Sequence, residues 1–168
     1  MDERSRAETQ SANRPCLVWQ LRPQGDAIRS ISLRSLLPLA DLDAEFVSLQ
    51  KEVRGDNATA LKERGDIVHF GDELDTFADT SAVVANLDLV ISVDTSVAHL
   101  AGALAKPVWV LLPFLPDFRW LLDREDSPWY RTARLFRQQA PGDWPGVISR
   151  VVMELEKAIA GLPQRGCP

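Results

Sequence analysis

Apolar positions along the 168-residue chain fall into two alternating patterns. Short continuous runs of strand length, several of them β-branched or aromatic, stand at 16–20 (CLVWQ), 45–49 (EFVSL), 67–70 (IVHF), 89–93 (LVISV), 108–112 (VWVLL) and 133–136 (ARLF). Segments 32–40, 56–64, 76–87, 96–105 and 146–160 carry apolar residues at three- and four-residue spacings instead, the period of a helix lying on a core. Apolar strands separated by helices predict parallel βαβ units with both sheet faces covered. Right-handed crossovers then predict a doubly wound, largely parallel, six-stranded α/β sheet of Rossmann-like form, in the order 3-2-1-4-5-6. In that order a crevice opens outside the carboxyl ends of the first and fourth strands, where Gln20 and Val93 lie, and ligands are expected there.

With 45% apolar and 26% charged residues the chain reads as one soluble domain over 14–160. It is preceded by a polar arm, 1–13, expected to be disordered, and followed by a breaker-rich tail, 161–168. No apolar run reaches the length of a membrane span, and the densest, 107–115, is far too short. Twenty-four acidic against 19 basic residues give a formal charge of -5, which disfavours sequence-independent binding to nucleic acid but leaves room for a small local anion site. The two cysteines, Cys16 and Cys167, have a spacing that suggests neither a disulfide framework nor a zinc cluster. A reducing, cytoplasmic setting and no metal or cofactor are expected.

The fourth predicted strand runs directly into Asp94-Thr95-Ser96-Val97-Ala98-His99. Thr95 or Ser96 is a good N-cap, and the first N–H groups of the helix that follows have no partner within it, so with the helix dipole they form a candidate anion site. Ala98, Ala101, Gly102 and Ala105 make a smooth stripe that lets this helix lie close to the sheet. His99 falls in the first turn, where a bound phosphate would couple to its charge. The same residues also cap helices that bind nothing, and a single histidine also serves as a core residue. Past the fifth strand, Asp117, Arg119 and Trp120 stand on the ligand edge, where an aromatic ring stacks on a base or covers the cleft. Trp129 and Tyr130, in a Pro-Trp-Tyr turn, are expected to pack an anchored loop. Asp72, Glu73 and Asp75 read as charges favouring the N-terminus of the helix at Thr76, and His69 as a structural strand residue.

Several activities lack their motifs. No G-x-G-x-x-G follows the first strand, no G-x-x-x-x-G-K-[ST] occurs, and no G-x-S-x-G elbow is present, against a dinucleotide oxidoreductase, a P-loop NTPase and an α/β-hydrolase. A phospho-receiver would place a lysine after the fifth strand, whereas Lys106 precedes it.

The run from Phe77 to Gln138 resembles the C-terminal half of GT-B glycosyltransferases related to the heptosyltransferases, especially bacterial proteins in which this domain follows tetratricopeptide repeats. The residues that carry the likeness are FADT at 77–80, NLDLVISVDTSVAHLAG at 86–102, KPVW at 106–109, DFRW at 117–120, DSPWY at 126–130 and RLFRQ at 134–138. In that family two Rossmann-like domains face each other, the first holding the acceptor and the second the nucleotide-sugar donor. The resemblance implies that Asp94, Thr95, Ser96 and His99 cradle the diphosphate of a nucleoside-diphosphate sugar. It implies further that Lys51 reaches a phosphate or ribose, and that Glu52 accepts from a ribose diol, as acidic residues do in related folds. Lys51 and Glu52 also read as solvated loop charges, and Arg119 is left as a candidate donor contact.

Similar proteins follow the first strand with a small residue and Gly, whereas this chain has Gln20-Leu21-Arg22, so the backbone approaches a ligand less closely there. Arg22 and Arg29 remain as phosphate partners. Two functions follow: a donor-binding domain, inactive until an acceptor half from another chain or a homo-oligomer completes it, or a non-catalytic nucleotide-binding or protein-interaction module derived from one.

Overall fold

A computed structural model describes residues 15–20 and 31–160. The arm, the tail and the loop that contains Arg22 and Arg29 lie outside the described residues. Six strands, β1 (Cys16–Gln20), β2 (Glu45–Ser48), β3 (Ile67–His69), β4 (Leu89–Val93), β5 (Val108–Leu112) and β6 (Ala133–Arg137), form one sheet in the order β3-β2-β1-β4-β5-β6. Every pairing within it is parallel, and Gln20 lies opposite Ser92, beside Val93. The expected topology is the one found.

Strand periodicity divides the side chains between two cores. Leu17, Phe46, Leu89, Ile91, Trp109 and Leu111 point to one face. That face is covered by helix α1 (Leu33–Ala40) and by α5 (Trp144–Ile159), which pack on each other, with α2 (Asp56–Glu63) beside α1. Val18, Val47, Val90, Val108, Val110 and Leu135 point the other way, toward α3 (Phe77–Asn86) and α4 (Ser96–Ala103). Every residue of β4 and β5 is buried, as continuous apolar runs in a doubly covered sheet require.

Local chemistry sets most of the helix ends. Ser32 caps α1 by accepting from Ser35 N–H, and Thr76 and Asp79 make a reciprocal capping box on α3. Asp143 accepts from Gly146 N–H at the start of α5, so that helix begins at Trp144 rather than at the expected Gly146. Asp75, expected to favour the start of α3 by its charge, pairs with Lys51 across 3.7 Å. Among the described residues no helix is long and apolar enough to cross a membrane.

Two expectations need correction. Cys16 is disulfide-bonded. A salt bridge from Arg134, at the start of β6, to Glu154, late in α5, shows that α5 runs antiparallel to the strands. It therefore returns the chain to the edge where Cys16 begins β1, a proximity that spacing in sequence does not reveal; the other cysteine, Cys167, lies outside the described residues. The stripe on α4 is also shorter than expected. Ala98 and Ala101 are fully buried toward the sheet, but Ala105 has left the helix with φ 53°.

Ala105 occupies the left-handed position of a Schellman closure: Lys106 N–H donates to Ala101 O at 3.0 Å and Ala105 N–H to Gly102 O at 3.1 Å. An alanine there bears a steric strain that glycine lacks. Ala105→Gly should therefore raise stability by about 0.5–1 kcal/mol, the relief of strain outweighing the added freedom of the unfolded chain. Thermal unfolding followed by circular dichroism checks this, and an unchanged or lowered midpoint contradicts it.

Candidate functional site

The end of β4 and the start of α4 form the centre of the site. Ser92, buried at the end of the strand, donates its hydroxyl to Val93 O at 2.7 Å and lies 2.9 Å from Thr95 Oγ1. With the Ser92 proton committed to the carbonyl, the Thr95 hydroxyl is the donor between the two side chains. Thr95 is the N-cap of α4, yet its side chain makes no capping bond, because it is turned down toward the strand. Thr95 O accepts from Ala98 N–H and His99 N–H. The N–H groups of Ser96 and Val97 have no partner among the described residues, as Phe77 and Ala78 N–H have none at the start of α3; what sets α4 apart from α1, α3 and α5 is a cap hydroxyl turned away from the helix.

His99 is held on three sides. Its Nδ1 lies 3.0 Å from Tyr130 Oη, its Nε2 lies 3.5 Å from Asp94 Oδ1, and its ring stacks on Trp120 with centroids 5.2 Å apart. Asp94 is 8% exposed as a side chain, so its carboxylate has little contact with water and the imidazole is its nearest polar partner. Tyr130 reaches His99 because α4 has a glycine at 102, over which the Tyr130 ring lies.

The 114–130 segment, between β5 and β6, roofs this side of the site. Trp120 is fully buried under it, which assigns that ring to packing. Trp129 departs from expectation: the residue is 65% exposed, and its Nε1 donates to Arg119 O at 2.9 Å. Pro-Trp-Tyr thus anchors one ring, Tyr130, and presents the other. The Arg119 guanidinium lies 5.5 Å over Phe118, which is 79% exposed, and only 3.5 Å separates Arg119 Nη1 from Asp117 Oδ1. His99, Phe118, Arg119, Trp129 and Tyr130 together line an open cleft of about 610 Å³.

A smaller cavity of about 210 Å³ lies on the other flank of α4, between Leu49 and Lys51 after β2, Leu74 to Thr76 before α3, and Ser96 and Val97. Of the sequence-predicted residues, Asp94, Thr95, Ser96 and His99 are together at the helix start, Lys51 shares a cavity with Ser96, and Arg119 shares one with His99. Glu52 is not brought in: it lines neither cavity and pairs with Arg54 at 2.7 Å. Sequence reasoning missed Ser92, which nothing distinguishes from any small strand residue, and Phe118. The latter's only signal was an apolar residue flanked by the charges of Asp117 and Arg119. Among the described residues there is no cluster of His, Cys, Asp and Glu able to hold a metal ion.

The Gly102–Tyr130 contact gives a test with opposed signs. A Cβ at 102 would lie 2.5 Å from Tyr130 Cδ1. Helix propensity alone predicts that Gly102→Ala stabilises by about 1 kcal/mol. Because the ring must shift and release His99, the variant should instead be less stable than wild type in chemical denaturation, and the His99 imidazole resonances should move.

No protein-family model matches the chain. Protein FlbA of Caulobacter vibrioides is 34% identical over 77 residues, 46% of this chain but 13% of FlbA. Among solved structures, E. coli ADP-heptose LPS heptosyltransferase II superposes with a TM-score of 0.62 at 17% identity, covering 96% of this chain and 53% of that one. E. coli heptosyltransferase WaaC with ADP-2-deoxy-2-fluoro heptose gives 0.54 at 17% identity, covering 86% and 44%. The chain thus spans about half the length of the heptosyltransferase structures it resembles, and at these identities the likeness is one of fold. It is a Rossmann-like α/β sheet that matches half of a GT-B glycosyltransferase.

Proposed function

We propose that this chain carries the nucleotide-sugar donor-binding domain of a GT-B glycosyltransferase, formed by residues 14–160. The reading rests above all on the start of α4. Two backbone N–H groups, Ser96 and Val97, have no partner there, the cap side chain is turned away, and a cavity opens on each flank. A diphosphate supplies the missing acceptors and the negative charge that the helix dipole favours. His99 opposes two anions in this arrangement, the buried Asp94 carboxylate and the incoming phosphate. Lys51 faces the diphosphate from the smaller cavity and Arg119 from the larger. The WaaC structure in the comparison holds a nucleoside-diphosphate sugar analogue, which supports that ligand class.

Binding should follow the residues at the helix start. Thr95→Ala combined with Ser96→Ala should weaken the binding of a nucleoside diphosphate by about 1–3 kcal/mol, the worth of charge-assisted hydrogen bonds. Titration calorimetry on wild type and double variant measures it. Well-folded wild type that binds no nucleoside diphosphate at millimolar concentration would favour the derived interaction module instead.

Turnover is a separate matter. Transfer requires donor, acceptor and a general base positioned together. In this chain His99 is engaged by Asp94 and Tyr130, and Asp117 accepts from Arg119 N–H at 3.0 Å, so both stand on the donor side. The 168-residue polypeptide by itself should transfer no sugar, and a chain bearing an acceptor domain should restore transfer when mixed with it. A donor-turnover assay with product identification decides this: multiple turnovers by the purified chain alone would contradict it.

A further inference from the structure

The connection from β5 to β6 carries more apolar surface into water than the donor reading uses. Ten large apolar residues are exposed among the described residues, and six of them, Phe114, Leu115, Phe118, Leu121, Leu122 and Trp129, belong to this one segment. Single exposed apolar side chains are ordinary on a protein surface, whereas a cluster of them marks an interaction site. Leu121 N–H donates to Phe118 O at 3.1 Å, and Trp129 Nε1 donates to Arg119 O within the same turn, so the cluster is continuous around it.

The cluster is also held in shape. Leu121 and Asp123 have φ of 51° and 55°, in the left-handed region that favours glycine, and they bracket Leu122. Arg137 fixes that backbone by donating to Leu121 O at 2.7 Å and to Trp120 O at 3.3 Å. Strain is thus maintained where its effect is to present leucines to water. For a lone chain that gains nothing, but it pre-organises a contact surface for a partner.

Area, charge and the sheet edges select the partner. At roughly 200 Å² for each whole side chain and exposures between 40% and 79%, the six residues offer on the order of 700 Å², close to the roughly 800 Å² per partner of a stable interface. Residues 114–131 contain three arginines and four carboxylates, so the face carries both signs and complements a second copy of itself turned about a twofold axis. An anionic lipid surface would instead repel a chain of formal charge -5. Joining two copies by extending the sheet is blocked at β6: Ala133 N–H and Leu135 N–H donate to Tyr130 O and Glu125 O, and Arg137 O accepts from Arg150. At the opposite edge β3 is only three residues long. Association falls to the loop face.

We propose that the 114–131 face is the interface of a homodimer, in which Leu122 and its apolar neighbours pack against the same residues of a second copy. The pairing goes beyond the donor reading of α4 and does not rest on it.

Sedimentation equilibrium of the full chain at micromolar concentration tests this, read beside a titration with ADP and UDP. Wild type should sediment with the mass of two chains. Leu122→Glu sets two carboxylates against each other in an apolar contact and should raise the dimer dissociation constant about a hundredfold, whereas Leu122→Met should keep the dimer. Val68→Glu, exposed on β3 at the far edge of the sheet, should leave the dimer unchanged. Leu115→Glu takes the place of Leu122→Glu if circular dichroism shows the latter unfolded.

A wild type that stays monomeric overturns the proposal, whether it floats with phosphatidylcholine vesicles, which makes the face a lipid contact, or pairs only with a chain bearing an acceptor domain. So does a dimer that the folded glutamate variant leaves intact, or one that Val68→Glu splits equally. A monomer that binds ADP or UDP refutes the interface and leaves the donor reading standing. A dimer split by Leu122→Glu that binds neither nucleotide sustains the interface while the donor reading fails.

Discussion

Two parallel neighbours, β1 and β4, send their chains to opposite faces of the sheet, and the rest of the molecule follows from that divergence. The chain beyond β1 reaches α1, which lies in the core on one side, while β4 feeds α4, which lies in the core on the other. No connection can then cover the carboxyl ends of both strands, and a crevice is left there by topology alone. The register that pairs Gln20 with Ser92 brings the crevice to the first turn of α4.

What that turn can do depends on how α4 is seated. Ala98 and Ala101 bring its axis close to the sheet, and the Schellman closure through Lys106 and Ala105 ends it within three turns. Lys106 then reaches across to cap the end of the neighbouring helix, its Nζ donating to Leu87 O at 3.0 Å. A helix fixed at its C-terminal end and along one face has little freedom in where its N-terminus points. The Ser92–Thr95 contact turns the cap hydroxyl toward the strand and away from that N-terminus, where Ser96 and Val97 N–H are open among the described residues.

The long connection from β5 to β6 completes the site from outside the sheet. It is secured beneath by Gln138, whose Oε1 accepts from Phe114 N–H and Gly142 N–H, and by Arg137, which donates to Trp120 O and Leu121 O. Burial lowers the pKa of that guanidinium, a cost the two carbonyl contacts offset while they hold the loop. Trp120 inserts fully, Tyr130 drops onto Gly102, and Trp129 is left facing water. Exposed ring and loop anchor are thus neighbouring residues of one short turn.

The sequence by itself determined the elements, the strand order and the residues at the start of α4. Those depend on local period, on capping chemistry and on the handedness of crossovers, all of which are written within a few residues of where they act. It also placed Asp94, Thr95, Ser96 and His99 together, because they belong to one turn. Tertiary structure alone decided what lies opposite them. Tyr130 meets His99 across 31 positions, Ser92 takes the cap hydroxyl, Glu52 turns to Arg54 rather than to the crevice, and Trp129 rather than Trp120 is the exposed ring. None of these has a period or a motif. Each is settled by which side chains compete for the same space and the same hydrogen bond once the sheet has closed, and that competition has no trace in the order of residues along the chain.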